Sequence, residues 1–138
     1  MIEFKLLNGN KKAPERMTEG AAGFDFYLHK EIVIEPFSRA LVPLSVACAI
    51  PPAFVGILDG RSSLYKKYGL DSTTGYIDSD YRGEIHLQIT NNEENIVTLK
   101  SGERVGQMIV LPFLGAGRVV EELDETDRGK GGFGSTGK

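Results

Sequence analysis

The sequence predicts an all-β sandwich or barrel that carries one short helix and a glycine-rich C-terminal tail. Strand-like segments dominate the 138 residues, and turn signals such as Asn8-Gly9-Asn10 and Pro51-Pro52 recur between them at short intervals. One segment alone has the start and stop signals of a helix. Short strands separated by frequent turns are typical of sandwiches and barrels, whereas βαβ folds place helices between their strands. A chain of this length suits one domain.

Three segments carry the strand prediction. Residues 84–90, EIHLQIT, alternate apolar and polar side chains, which predicts a strand with its two isoleucines and one leucine on the buried face. Residues 39–51, RALVPLSVACAIP, and residues 104–113, RVGQMIVLPF, are longer apolar runs. Runs of this kind, rich in β-branched residues, are typical of buried strands.

The helix prediction falls on residues 62–69, SSLYKKYG. A serine supplies the N-cap and Gly69 supplies the stop signal. Leu64 and Tyr68 are four residues apart, so both are expected to face the core. After about Glu122 the composition becomes polar and glycine-rich, which predicts a mobile tail.

Composition limits the classes of function. The net charge of −3 is unfavourable for a protein built to coat nucleic acid. One cysteine and two histidines do not supply a metal-ligand cluster, and Cys48, which lies among apolar residues, is expected to be a core residue in a reducing compartment. No apolar run resembles a signal peptide or a membrane span of about 20 residues. We therefore expect a soluble, cytoplasmic protein with neither nucleic acid nor a membrane as partner; a nuclear or virus-encoded protein fits the same composition.

The segment DGRSSL places Arg61 beside Ser62 and Ser63 at the predicted helix start. The free N–H groups of a helix N-terminus attract anions, and an arginine offers phosphate oxygens a planar fork of donors. The segment therefore predicts a phosphate site. An ordinary serine cap next to a surface arginine is the alternative interpretation.

The segment TGYIDSDYRGEI brackets two carboxylates, Asp78 and Asp80, between glycines. Residues two apart on a strand share a face, and one of these carboxylates is a candidate general base for a water molecule. Tyr81 is a candidate to pack on a substrate ring. A polar hairpin turn without a chemical role is the alternative interpretation.

In the segment AAGFDFY, Asp25 lies between two phenylalanines. An acid inside an apolar segment requires a partner, which is a cation, a backbone amide or a metal-bound water. A strand-end aspartate that bonds local amides is the alternative to a functional role.

The tail RGKGGFGSTGK contains two phosphate-motif patterns, and both lack the strand and helix context that those motifs require. The residues of the tail are still suitable for binding an anion, because glycines allow backbone N–H groups to converge and Arg128 supplies a permanent positive charge. Phe133 suits stacking on a base. A solvated tail is the alternative. Taken together, two phosphate sites, a candidate base and two stacking aromatics predict a nucleoside polyphosphate as ligand.

Five segments together resemble the five motifs of the deoxyuridine triphosphatases (dUTPases) of the trimeric all-β type. They are, in chain order, AAGFDFY, GRSSL, GYIDSDYRGEI, RVGQMIV and RGKGGFGSTG, and the match covers nearly the whole chain. The resemblance implies a jelly-roll-like β-sandwich or barrel over residues 1–122, with residues 123–138 as a mobile C-terminal lid of the same domain. It also implies a homotrimer in which each active site draws on three subunits, the third contributing only its tail.

The reaction implied by the resemblance is hydrolysis of dUTP to dUMP and pyrophosphate, through Mg²⁺-assisted attack of an Asp-activated water on the α-phosphate. Such an enzyme keeps uracil out of DNA and supplies dUMP for thymidylate synthesis. A dCTP deaminase, which resembles the same fold, and a non-catalytic nucleotide sensor that switches a protein partner are the alternatives. The hairpin carboxylates favour hydrolysis over both.

The resemblance also implies roles for single residues. Asp78 orients and deprotonates the attacking water, Asp25 hydrogen-bonds water in the magnesium shell, and Tyr81 packs on the deoxyribose. The remaining substrate-binding residues are Gly75, Tyr76 and Ile77 at the uracil edge, Arg61, Ser62, Ser63 and Gln107 at the phosphates, and Arg128, Phe133, Gly134, Ser135 and Thr136 in the closed tail.

Overall fold

The computed structural model describes residues 1–135 and 137, and it confirms the all-β prediction. Eleven strands and one helix form in this part of the chain. In order they are β1 Glu3–Leu6, β2 Phe24–Tyr27, β3 Ile32–Ile34, β4 Ser38–Pro43, β5 Val46–Ala49, β6 Phe54–Gly60, α1 Ser62–Tyr68, β7 Leu70–Thr73, β8 Gly75–Ile77, β9 His86–Asn91, β10 Val97–Leu99 and β11 Arg104–Pro112.

The strands form antiparallel sheets around one apolar core. The largest sheet has the order β2-β11-β6-β8, a second has the order β4-β9-β7, and two strand pairs, β1-β5 and β10-β3, complete the described part. Phe26, Leu58, Leu87 and Met108 are fully buried where the sheets meet. Strands from every sheet contribute to this core, so the sheets pack as one unit.

The alternating pattern of EIHLQIT is confirmed in β9 and the residue before it. Ile85, Leu87 and Ile89 are fully buried, whereas His86 and Gln88 are exposed. Because side chains of a strand point alternately to the two faces, β9 places its apolar residues in the core and leaves His86 and Gln88 on the opposite face.

The long run at residues 39–51 forms two strands that meet at Ser45, not one. Ser45 has φ +52°, a left-handed conformation that breaks strand geometry, and its N–H donates to Glu84 Oε1 over 2.9 Å. β4 is half-exposed, with Leu41 67% accessible, and only β5 is buried as expected. Cys48 in β5 is a core residue, and burial raises the pKa of its thiol.

The predicted helix is present, but its start differs from the prediction. Arg61, not a serine, occupies the N-cap position, and no side chain caps the helix. The stop is confirmed, because Gly69 adopts φ +66° and donates its N–H to carbonyls of the last turn. Leu64 is buried and Tyr68 packs against the core, as expected. Among the described residues, no helix has the length and apolar character that crossing a membrane requires.

Candidate active site

A cleft of about 390 Å³ opens at one end of the largest sheet. Gln107 of β11 pairs with Asp25 of β2 on one side and with Asp59 of β6 on the other. β6 ends at Gly60, and Arg61 follows at the start of α1, held by a bond from its N–H to the Val105 carbonyl over 3.0 Å. Sheet pairing thus assembles residues that are far apart in sequence. The lining consists of Met17, Ala21, Gly23, Asp25, Gly60, Arg61, Ser62, Arg104 and Gln107.

Asp25 is the buried acid of this cleft, with 5% of its surface exposed. Its Oδ2 accepts a hydrogen bond from Arg104 Nη1 over 3.1 Å, and Arg61 Nε lies 3.6 Å from the same oxygen. The sequence prediction that Asp25 needs a partner is confirmed, and the partners are cations. The two guanidinium groups are partly exposed, so the carboxylate orients two positive charges at the rim of the cleft.

Arg104 is a site residue that the sequence analysis did not single out. It opens the RVGQMIV motif, of which only Gln107 was selected. The sequence did contain an indication of Arg104. A buried carboxylate such as Asp25 requires a nearby cation, and Arg104 begins a strand-like segment that could supply one.

Gly23, the residue before β2, leaves room for the Gln107 side chain to pass close to its backbone. A Cβ at position 23 would overlap Gln107 Cγ. Ser62 lines the cleft, whereas Ser63 is half-buried and lies outside the lining. The predicted phosphate residues Arg61, Ser62 and Gln107 are therefore brought together with Asp25 in one cleft.

A second, smaller pocket of about 190 Å³ lies at the hairpin after β8. Asp78 is exposed there, and its carbonyl accepts a bond from the Tyr81 N–H over 3.1 Å, which closes a turn. The Tyr81 hydroxyl donates to the Glu84 carbonyl over 2.9 Å, and the ring folds over Gly83, where a Cβ would overlap it. The lining consists of Tyr76, Ile77, Asp78, Tyr81, Glu84, Ile85 and His86.

One chain does not bring the two pockets together. In the antiparallel pair β6-β8, Ile77 lies opposite Gly56, so Asp78 is near the start of β6. Arg61 follows the end of β6, five positions beyond Gly56, a span of roughly 17 Å at about 3.3 Å per residue. The cleft at Arg61 and the pocket at Asp78 thus lie at opposite ends of one strand, as two candidate half-sites.

The described residues of the tail line neither pocket. No helix or strand forms between residues 113 and 135. Arg128 Nε donates to the Gly131 carbonyl over 2.8 Å, and Phe133 is fully exposed with φ +51°. Gly134 has φ +85° and Ser135 is exposed. Thr136, the last predicted tail residue, lies outside the described residues.

Asp59 is a second residue that the sequence analysis missed. Its Oδ1 accepts the Gly60 N–H over 2.8 Å and also the Ser72 hydroxyl, and its Oδ2 accepts the Thr74 hydroxyl over 2.7 Å. Burial opposes ionisation of this carboxyl, but the three hydrogen bonds together hold its pKa below the ordinary value.

The donor set fits a magnesium ion held through water. Among the described residues, no three His, Cys, Asp or Glu side chains are grouped as metal ligands. Mg²⁺ keeps several of its waters and binds substrate phosphates, so it needs few protein ligands. Asp25 lines the cleft, and only its Oδ2 bonds a guanidinium, which leaves Oδ1 for a metal-bound water.

Comparison with known proteins agrees with this architecture. Residues 9–137 match the sequence model of the dUTPase family. A deoxyuridine 5′-triphosphate nucleotidohydrolase of Desulfitobacterium hafniense is 45% identical over 132 residues, covering 91% of this chain and 87% of the relative. The solved structure of a Staphylococcus bacteriophage 80alpha dUTPase with dUpNHpp superposes with a TM-score of 0.92 at 29% identity, covering 100% of this chain and 99% of that one. A mutant dUTPase of phage phi11 of S. aureus with a structural Mg(II) ion has a TM-score of 0.84 at 26% identity, covering 91% and 99%. The chain is therefore an enzyme of the dUTPase family.

Proposed function

We propose that the chain hydrolyses dUTP to dUMP and pyrophosphate, with Asp78 as the general base. The observation that carries this proposal is the pair of half-sites at the two ends of β6. One offers two arginines oriented by Asp25, and the other offers an exposed carboxylate beside an aromatic ring. A triphosphate suits the first half-site, and a nucleoside next to a base that activates water suits the second.

The phosphate half-site stabilises negative charge. Arg61 and Ser62 donate to phosphate oxygens, with Ser63 at the same helix start, and Gln107 supports the same end from β11. Phosphoryl transfer depends on positioning and charge neutralisation more than on covalent help. Bound Mg²⁺ would add charge neutralisation on the phosphates, and Asp25 would hold one of its waters.

The hairpin half-site selects the nucleoside and activates water. Asp78 accepts a proton from water, whose oxygen bonds the α-phosphorus while the bridging P–O bond to the β-phosphate breaks. Tyr81 packs on the deoxyribose. Backbone groups of residues 75–78 match the donor and acceptors of the uracil edge, so cytosine would leave groups unpaired, and mismatches of this kind reject analogues by about 10⁴ or more. The methyl group of thymine is excluded sterically.

In this proposal the active site is complete only when several chains assemble. A general base acts within hydrogen-bond reach of the water, or through one further water. The span of roughly 17 Å between Gly56 and Arg61 prevents the base of one chain from serving its own phosphate cleft. We therefore infer a homotrimer in which a second subunit supplies Asp78 and Tyr81 and a third supplies the tail.

The tail acts as a lid in this proposal, attached to a domain formed by residues 1–122. Residues 123–138 include Arg128, which would clamp the γ-phosphate, and Phe133, which would lie over the uracil. Gly134, Ser135 and Thr136 would close on the phosphates. The full exposure of the Phe133 ring supports this role, because an unpacked aromatic is free to stack on a base. Closure excludes water from the reacting phosphates.

The test is a pyrophosphate-release assay with dUTP and the four standard dNTPs, each with and without Mg²⁺. We expect pyrophosphate from dUTP, little from the others, and a strong dependence on Mg²⁺. Ammonia released from dCTP would establish the deaminase instead, and dUTP binding without pyrophosphate release would establish a sensor. By removing dUTP and producing dUMP, the activity would keep uracil out of DNA and supply the precursor of thymidylate.

A further inference from the structure

We propose that Asp59 is a positioning residue that fixes the phosphate cleft and the uracil-reading hairpin relative to each other. This inference rests on the half-site roles proposed above. The carboxylate lines neither pocket. It bonds Gly60, which lines the phosphate cleft, and Thr74, which precedes the proposed uracil-reading residues 75–78. Gly60 precedes Arg61, and Thr74 precedes Gly75.

The hydrogen bonds of Asp59 form one closed network. Oδ1 receives the Gly60 N–H and the Ser72 hydroxyl, and the Ser72 oxygen also receives the Gly60 N–H over 3.0 Å. Oδ2 receives the Thr74 hydroxyl over 2.7 Å. A single carboxylate therefore connects the end of β6 with Ser72 of β7 and with Thr74, the one residue between β7 and β8.

Close packing reinforces the connection at Gly60. A Cβ added to Gly60 would lie 2.8 Å from both the Cβ and the Oγ of Ser72. This distance is shorter than van der Waals contact allows, so β6 and β7 approach as closely as a glycine permits. A shift of Ser72 or Thr74 would therefore move the backbone that leads into Arg61 or Gly75.

The partners indicate that Asp59 positions its neighbours through hydrogen bonds and not through an ion pair. All three donors are neutral, and Asp59 forms no ion pair with the described residues. An asparagine would preserve the geometry, because its oxygen accepts from Gly60 and Ser72 while its amide donates to the Thr74 hydroxyl, which is also an acceptor. An alanine would preserve none of it.

The experiment compares Thr74→Val, which removes the bond on the hairpin side, with Thr73→Val as the matched control. Thr73 is an exposed threonine one residue away whose side chain makes no hydrogen bond to the described residues. We measure kcat and KM for dUTP, the dUTP-to-dCTP ratio of kcat/KM, and the calorimetric Kd for dUpNHpp, well below the melting temperature of each variant. Thr74→Val is expected to raise KM and Kd roughly three- to tenfold and to lower the selectivity ratio, since one hydrogen bond is lost. Thr73→Val is expected to match the wild type.

Asp59→Asn and Asp59→Ala complete the design. The asparagine variant should retain the wild-type Kd and selectivity, and the alanine variant should lose both. A Thr74→Val variant that equals Thr73→Val in Kd and selectivity would overturn the positioning role. A wild type that binds dUpNHpp but releases no pyrophosphate from dUTP would refute the proposed reaction, and the Kd comparison would then decide the role of Asp59 by itself.

Discussion

Arg104 Nη1 donates a hydrogen bond to Asp25 Oδ2 over 3.1 Å and thereby joins two motifs that are 79 residues apart in the chain. The oxygen belongs to a buried carboxylate, and the guanidinium reaches the rim of the cleft. Arg61 approaches the same oxygen from the N-cap position of α1. The cleft is thus organised around one acid and two cations contributed by three different parts of the fold.

Replacement of Arg104 by glutamine is expected to lower the free energy of unfolding by about 1–3 kcal/mol, because a buried carboxylate loses its hydrogen-bond partner. KM for dUTP should rise as well, since one positive charge leaves the cleft. Urea denaturation and steady-state kinetics measure the two effects. Arg39→Gln, which removes an exposed arginine on β4, is the control, and equal stability of the two variants would contradict the role of the pair.

Asp78→Asn is expected to fold and bind dUpNHpp normally but to lose about 10²- to 10⁴-fold in kcat, because the amide does not accept the proton of water. Asp80→Asn is the matched control, since Asp80 lies two residues away, is also exposed, and is absent from the pocket lining. Near-normal turnover by Asp78→Asn, or an equal loss in both variants, would exclude Asp78 as the base.

Subunit mixing tests whether the half-sites come from different chains. Asp78→Asn and Arg61→Gln should each be nearly inactive alone. If they are unfolded together and refolded as a mixture, roughly a quarter of the sites should combine an intact cleft with an intact hairpin, because subunits assort at random in a closed ring. Light scattering measures whether the refolded mixture is a trimer. A mixture no more active than its components would place each site within one chain.

Removal of the tail after Asp127 is expected to leave the fold and trimer intact while severely reducing kcat/KM for dUTP. Phe133→Ala alone should lose about 1–3 kcal/mol of binding for dUpNHpp, the usual contribution of an aromatic stacked on a base. Lys130→Ala, in the same exposed segment, is the control. Unchanged kcat/KM in the truncated enzyme would identify the tail as a solvated segment without a role.

The Asp59 carboxyl gives a signed pH prediction. Its pKa is lower in the folded chain than the ordinary 3.8, because its three hydrogen bonds together outweigh burial. A carboxyl of this kind stabilises the fold above the unfolded pKa, and the stabilisation is lost as pH falls through the folded pKa. Asp59→Asn, which does not titrate, should therefore lose less stability below about pH 4 than the wild type. Urea unfolding at pH 6 and pH 3 measures the difference, with Asp71→Asn as an exposed control; parallel losses in all three proteins would contradict the prediction.

Local chemistry explains what the sequence could predict. Gly69 ends the helix because a left-handed residue is needed there, and alternation in EIHLQIT predicts its buried face. The same local signals miss what distant pairing decides. A serine cap is expected at the helix start, yet the Arg61 N–H is held by Val105 of β11, which makes Arg61 the N-cap. Ser45 breaks an apolar run because Glu84, a distant residue, accepts its N–H.

The candidate site shows the same division between what local sequence indicates and what distant strand pairing decides. The apolar neighbours of Asp25 in the sequence indicate that its carboxylate needs a partner. Which of the 16 Lys and Arg residues becomes that partner depends on the pairing of β2 with β11. Asp59 gives no local signal at all, because its hydroxyl partners reach it only when β6, β7 and β8 are in place. Motif spacing therefore indicates the chemical groups, and sheet register determines their contacts.

The length of β6 has a consequence for building new enzymes from this scaffold. Its seven residues fix the distance between the two half-sites in each chain, and in the trimer proposed above they would therefore set where a neighbouring subunit must present its base. Surface loops can vary in length without changing that span. A chimaera that takes the phosphate cleft from one relative and the uracil hairpin from another should therefore work only when both parents have a β6 of equal length.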